Sequence, residues 1–527
     1  MSQPYSKSIA FGSPTMLPAL SRSRSSLLRL FSLPRKVIAF RKSLSCQISA
    51  AATPVDISPK FSASRSRNLF SRISPLRKDY DVVQVLDQWV AEGRKVHYIE
   101  FQRIIRDLRS RRRFSQALQV SEWICCNGAC KIPLGYHAVH LDLVGVVRGC
   151  EAAESYFNNL SDEYKNEKTY GAMLNCYVRE SILTKALLHL QRMKDIGYGS
   201  SAITYNNIMV LYKKVGQLEK IPEILLEMKK NGVVPDNFSY RIGLSSFGER
   251  SDLGGVEKLL NEMESLTEIS FDWRTYSMAA FEFIKADEKV KALAYMKKVE
   301  EKLDKDAVGY NHLISLYAHL GQKDEMMRLW ALQKFVCKKQ INKDYITMLG
   351  SLVKLGELEE AKVVLDDWTS TCRTYDFRVP NILLIGYCQK GLPDKSEAVL
   401  QDIIKRGEIP TPNSWSIIAM GYLDSSNPEK AFECMRRALA AKERNDKWMP
   451  KPDQVSRLLE WLGDEGEIQE VEALVWQLKT VMPVNKEMYH TLIKASVRVG
   501  KDAGWVLDQM RSDGIAVDGE TQKLILR

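Results

Sequence analysis

No uninterrupted apolar run of ~18 residues, the length a membrane-crossing helix needs, occurs in the 527-residue chain, so no span is expected. Acidic side chains are missing from residues 1–55. The ten cysteines are scattered. Cys125, Cys126 and Cys130 cluster, but no second pair completes a tetrahedral site or a disulfide framework. Their simplest role is that of small buried apolar residues. His-x-Glu does not occur, and neither does a glycine-rich loop of the kind that cradles phosphates. His137, His140 and Asp142 lie close together but lack a metal-ligand spacing. These absences leave no catalytic residue, metal site or cofactor to expect.

What is present is unevenly distributed. Net charge is +11, yet residues 1–78 hold fourteen Lys or Arg against Asp56 alone, a local +13, so the rest of the chain is −2. Bulk basicity therefore says little about the body of the protein. Residues 1–50, rich in Ser, Arg and Ala, have the composition of an organellar transit peptide, with a disordered basic tail as the alternative. The single charge in "MSQPYSKSIAFGS" favours a plastid address over a mitochondrial one, and Ile48-Ser49-Ala50-Ala51 reads as a processing site. Residues 51–97 read as a linker and helical lead-in.

From Phe101 a similar opening recurs at Ala138, Tyr170, Tyr205, Tyr240, Tyr276, Tyr310, Tyr345, Pro380, Trp415, Val455 and Tyr489. The intervals are 37, 32, 35, 35, 36, 34, 35, 35, 35, 40 and 34 residues. A period in this range marks a solenoid. Each unit carries two helical stripes. In one, Tyr205, Ile208, Tyr212 and Val215 precede Gly216, and Leu218, Ile221, Leu225 and Met228 follow it. One hairpin cannot bury both stripes, but stacking about twelve can, leaving a concave groove. Residues 98–518 are assigned to this array and 519–527 to a C-terminal tail. The predicted fold class is all-α, a right-handed superhelical solenoid of helix-turn-helix repeats. Trp273, Trp330, Trp415 and Trp461 recur at helical positions and are expected to pack between helices.

The period near 35, the Tyr-Asn opening at Tyr205 and the Val-Pro-Asp ending at Asp236 resemble the pentatricopeptide repeat family, P class, over roughly residues 98–518. The resemblance implies binding of single-stranded organellar RNA, about one base per unit, through the fifth and last residues of each unit. On that pattern Asn206 with Asp236 resembles a uracil reader, Ser277 with Asp306 a guanine reader, and Ser456 with Asn485 an adenine reader. Asn311 with Ile341 and Asn381 with Thr411 resemble pyrimidine readers. Val139, Gly171, Arg241, Ile346 and His490 have no standard reading. Ile203, Val308 and Phe238 fit the second-residue base clamp, whereas Arg274, Lys343, Arg378 and Asn413 do not.

At the thirteenth residue of a unit stand Arg179, Lys214, Lys285, Lys354 and Arg498, candidate phosphate contacts, interrupted by Glu249, Asp424 and Asp464. Favourable dipole placement at a helix end explains the same cations equally well. "RSRRR" at 109–113 reads either as a basic patch or as a solvated helix end. The function expected is non-catalytic, sequence-preferring RNA binding on organellar transcripts by a monomer. A protein-interaction scaffold in an organellar ribonucleoprotein or ribosome-associated complex is the alternative, favoured by the units that fit the pattern poorly.

Overall fold

A computed structural model describes residues 68–525, apart from 78–79, 128–131, 267–269 and 442–447. The segment read as a transit peptide falls outside the described residues. The described residues form 27 α-helices and no strand. Between Tyr98–Ser110 with Phe114–Asn127 and Lys486–Arg498 with Gly504–Ser512, they pair into twelve successive hairpins. The protein is an all-α solenoid.

Local chemistry explains each hairpin. In helix Ala202–Lys214, Ser201 is the N-cap and its hydroxyl accepts from the Thr204 amide at 3.3 Å. Tyr205, Ile208 and Met209 bury the inner stripe. Gly216, at φ 80°, supplies the left-handed residue that turns the chain into helix Lys220–Lys230. There Ile221, Leu225 and Met228 complete the core. Tyrosine or tryptophan at the fourth residue of a unit is buried at Tyr205, Tyr240, Tyr310, Tyr345, Trp415 and Tyr489. Each such anchor contributes about 1.5–3 kcal/mol. Where first helices approach most closely the chain uses glycine: a Cβ on Gly421 would clash with Cys388 Sγ. Trp273, Trp330 and Trp415 are buried as expected, while Trp461 is half-buried and donates to Glu465.

On the outer surface, second helices are tied to the next unit by ion pairs at nearly the repeat interval. Lys194–Glu227 (2.7 Å), Lys291–Glu257 (2.5 Å) and Lys334–Asp367 (2.5 Å) are examples. Half-exposed pairs of this kind are worth about 0–1 kcal/mol each. They account for a near-neutral body that is nonetheless rich in charge.

Both ends of the array differ from a plain repeat. Helices Leu69–Ile73 and Val82–Ala91 pack on the first hairpin. Glu100 Oε1 accepts from the Leu69 amide at 2.8 Å, and Arg113 Nη1 donates to the Ser74 carbonyl at 2.8 Å. Gln116 donates to the carbonyls of Arg77 and Tyr80, both at 2.8 Å. Much of "RSRRR" is therefore neither a nucleic-acid patch nor merely solvated. Arg113 is buried, Arg111 binds Asp107 and the Ser74 carbonyl, and together they latch the lead-in helices. At the other end the expected tail contains helix Gly519–Ile525, with Asp518 accepting from the Thr521 amide at 3.0 Å. It packs on Lys486–Arg498 as the first helix of a further hairpin would.

Candidate functional site

The fifth residues line up along the first helices, where one unit meets the next. Asn206 Nδ2 donates to Asp236 Oδ1 at 3.1 Å, and Ser239 Oγ donates to Asn206 Oδ1 at 2.7 Å. Equivalent bridges are Arg241 to Asp272 (3.0 Å), Asn311 to Asp344 (2.6 Å) and Ser416 to Gln454 (2.7 Å). Ser456 to Glu487 (2.6 Å) and His490 to Thr521 (2.9 Å) continue the row. In each case the fifth residue reaches the cap or first turn of the next unit.

The last residues of the units have a second duty that sequence reasoning missed. Asp236, Asp306, Thr411 and Asn485 are N-caps, accepting from the amides of Ser239, Val308, Ser414 and Met488. A carboxylate has lone pairs for both roles. Asp236 Oδ1 carries both the cap and the Asn206 bond. Burial pushes this carboxyl up, but the bonds from Ser239, Asn206 and the Phe238 amide outweigh it and hold it below its ordinary range.

The other pairs are less tightly coupled. Ser277 and Asp306 share no hydrogen bond, and Asp306 accepts instead from Trp273 Nε1 at 2.9 Å. Asn311 bonds Asp344 and not Ile341, which is exposed. Asn381 is buried with its Oδ1 unpartnered, while Thr411 meets Ser414 at 2.9 Å. Ser456 bonds Glu487, and Asn485 serves only as a cap. The third residue of a unit, as in Ser239, Thr275, Asp344 and Gln454, is the functional position not foreseen. It is polar, buried, and either bonds the preceding fifth residue or completes the cap. A polar residue three places after a cap was the available signal.

Apolar second residues are exposed as a base clamp requires: Ile203 (71%), Phe238 (45%) and Val308 (37%), joined by Ile99 (79%). The thirteenth-residue cations mostly serve the protein itself. Arg179 binds Asp142. Lys214 Nζ donates to the Val178 carbonyl at 2.9 Å, Lys285 pairs with Glu282 at 2.5 Å, and Arg498 donates to the Gly466 carbonyl. Of the five, only Lys354 makes neither an ion pair nor a side-chain hydrogen bond among the described residues, and partial desolvation lowers its pKa. Lys354→Ala should therefore reduce the slope of log Kobs against log salt by about 1, and Lys214→Ala, which also loses its carbonyl contacts, should reduce it by less while lowering stability. Nitrocellulose-filter binding at four salt concentrations reads both.

His140 bonds Ser121, His137 bonds Tyr156, and Asp142 holds Arg109 and Arg179, so the three do not converge on a metal. His490, Asp518 and Glu520 do converge, but the Lys486 ammonium sits on both carboxylates at 2.5 Å. That one ammonium already occupies both carboxylates and offsets one of their two charges.

The PPR repeat family profile matches residues 200–249, and the PPR repeat profile matches 168–198, 308–332, 344–370 and 379–408. A mitochondrial pentatricopeptide repeat-containing protein of Arabidopsis thaliana is 46% identical over 464 residues, covering 88% of this chain and 94% of that protein. The chain belongs to the pentatricopeptide repeat family. A second mitochondrial pentatricopeptide repeat protein of the same plant is 30% identical across 94% of this chain and 98% of the other. The Arabidopsis large ribosomal subunit protein mL101 is 32% identical across 84% and 91%. The bridging row includes the fifth and last residues of the units, the two positions the resemblance marks as expected base readers, and the exposed second residues flank it.

Proposed function

We propose that this pentatricopeptide repeat protein binds single-stranded RNA along its inner surface, one nucleotide per unit, and acts without catalysis in the processing, stability, splicing or translation of organellar transcripts. The observation that carries this reading is the Asn206–Asp236 pair. An amide and a carboxylate meet at 3.1 Å at the seam between units, with exposed Ile203 and Phe238 on either side. Such a pair offers both a donor and an acceptor to an unstacked base edge. The P-class assignment, the remaining base readers Ser277, Asp306, Asn311, Asn381, Thr411, Ser456 and Asn485, and the phosphate contacts belong to the same proposal. Among those contacts Lys354 has the most available charge.

The resident compartment we infer is the mitochondrion, in place of the plastid preferred from the first thirteen residues, because relatives similar over nearly the whole chain carry that name. A fluorescent fusion of residues 1–97 tests it.

Asn206→Ala with Asp236→Ala should weaken binding to the selected RNA about tenfold and remove discrimination at a single base. Selection from a random RNA pool, with wild type and double variant in parallel, reads this. A uniform loss at all positions would contradict it.

One observation favours a second reading. mL101 is a ribosomal protein by name, and the last three units place Asn413, Asp453 and Glu487 where earlier units place apolar or basic second residues. On that reading the chain is a scaffold in an organellar ribosome, and its C-terminal inner face meets a basic protein surface.

A further inference from the structure

One buried residue breaks the pattern of the second helices. In the seventh hairpin, Ala307–His319 with Lys323–Cys337, Gln333 is 0% exposed. The residues at the same place in the units around it, Met193, Met228, Met263, Val299, Trp368 and Ile403, are buried and apolar. Gln333 Oε1 has no hydrogen-bond partner among the described residues. A buried amide satisfied on one side only costs stability, and the same fold accepts methionine at this place.

The other side of the amide makes a relay. Gln333 Nε2 donates to Asn311 Oδ1 at 3.3 Å, and Asn311 Nδ2 donates to Asp344 Oδ1 at 2.6 Å. Asp344 Oδ2 accepts from the Ile341 amide at 2.8 Å. A carboxylate only accepts, so Asn311 turns its NH2 group to Asp344 and its carbonyl to Gln333. The fourth unit reaches the same amide orientation with other residues. There Asn206 Nδ2 donates to Asp236, the closing residue, and Asn206 Oδ1 accepts from Ser239. In the seventh unit the closing residue is Ile341, whose side chain cannot accept. The carboxylate stands three places later, at Asp344, and the donor comes from the second helix. In both units one hydrogen on Nδ2 and one lone pair on Oδ1 are left over.

We propose that Gln333 and Asp344 are positioning residues, which together hold the Asn311 amide in the sense of Asn206 so that the seventh unit keeps a pyrimidine preference without a polar closing residue. Neither stands at a position that the resemblance assigns to base reading. The proposal rests on the RNA-binding reading and adds to it the source of specificity in a unit whose closing residue offers none.

The test selects RNA with the full chain and compares base preference position by position. The base in question lies three places from the one governed by Asn206, at one base per unit. Gln333→Met introduces the side chain that the fourth unit carries at Met228. It should lower the pyrimidine-to-purine ratio at that base about fivefold, leave other positions unchanged and not lower the melting temperature. Gln333→Met combined with Ile341→Asp and Asp344→Ser transplants the arrangement of Met228, Asp236 and Ser239, and should restore the ratio. A purely structural role would move the melting temperature and no base preference. Wild-type preference at that base in Gln333→Met, or a loss that the triple variant does not recover, would overturn the positioning role and spare the RNA-binding reading. Absence of RNA binding by the wild-type chain would overturn that reading, and the positioning role with it.

Discussion

Trp368→Ala should cost about 3–5 kcal/mol, the usual penalty for emptying a fully buried tryptophan site. Trp368 is 1% exposed, in helix Leu358–Thr371, the second helix of the eighth unit. It contacts Tyr375 edge to face at 4.9 Å, and its Nε1 donates to Asn342 Oδ1 at 3.0 Å. Asn342 Nδ2 donates in turn to Asp376 Oδ2 at 2.9 Å. The Arg378 guanidinium holds that carboxylate down to about 2. Removing the indole thus empties the core of one unit and loosens the residues that begin the next. In a solenoid stability is a sum of units and nearest-neighbour interfaces, so the damage is local. Limited proteolysis should cut near residues 372–379 while hairpins far from the break stay protected. The RNA footprint should shorten on one side of the break. Uniform loss of protection along the chain would contradict the quasi-linear description.

Acidification should open the N-terminal hairpins first. His140 is 5% exposed, bonded to Ser121 Oγ at 2.9 Å and packed against Tyr136 and Tyr156 at ring distances of 6.0 and 4.7 Å. Burial, with smaller contributions from His137 and Arg148, lowers its pKa from 6.5 to about 4. His137 and His189 shift the same way, chiefly through burial. The unfolded chain binds the extra proton between pH 6.5 and 4 while the folded one does not. Stability is therefore flat above pH 6.5 and falls as pH drops through that window. For His140 the loss amounts to roughly 3 kcal/mol by pH 4. Hydrogen exchange should show helix Tyr136–Val147 losing protection before helix Pro412–Asp424. His140→Gln, which keeps a hydrogen-bonding side chain but cannot titrate in this range, should flatten the dependence. A variant as acid-sensitive as wild type would contradict the assignment.

The sequence made the repeat legible because a stripe of buried residues at fixed spacing is imposed by packing, and packing leaves few choices at Tyr205, Tyr240 or Tyr310. It was less informative about polar residues. Asp236 and Asp306 look like base readers in a string of letters, yet both also cap a helix, and only geometry reveals the shared duty. Lys214 and Arg498 sit where a phosphate track would run. Their charges instead go to carbonyl groups of a neighbouring unit or turn, a partnership more than thirty residues away that spacing alone does not expose. "RSRRR" misled for the same reason. Its partners are Ser74 and Asp142, brought together by the lead-in helices and the second unit.

The most direct test of the account is selection of single-stranded RNA by the whole chain at low and moderate salt, followed by the Asn206→Ala, Asp236→Ala double variant. The account predicts an enriched motif containing a uracil whose preference disappears in the variant while neighbouring positions hold. Enrichment of no sequence, or a motif indifferent to Asn206 and Asp236, would contradict it.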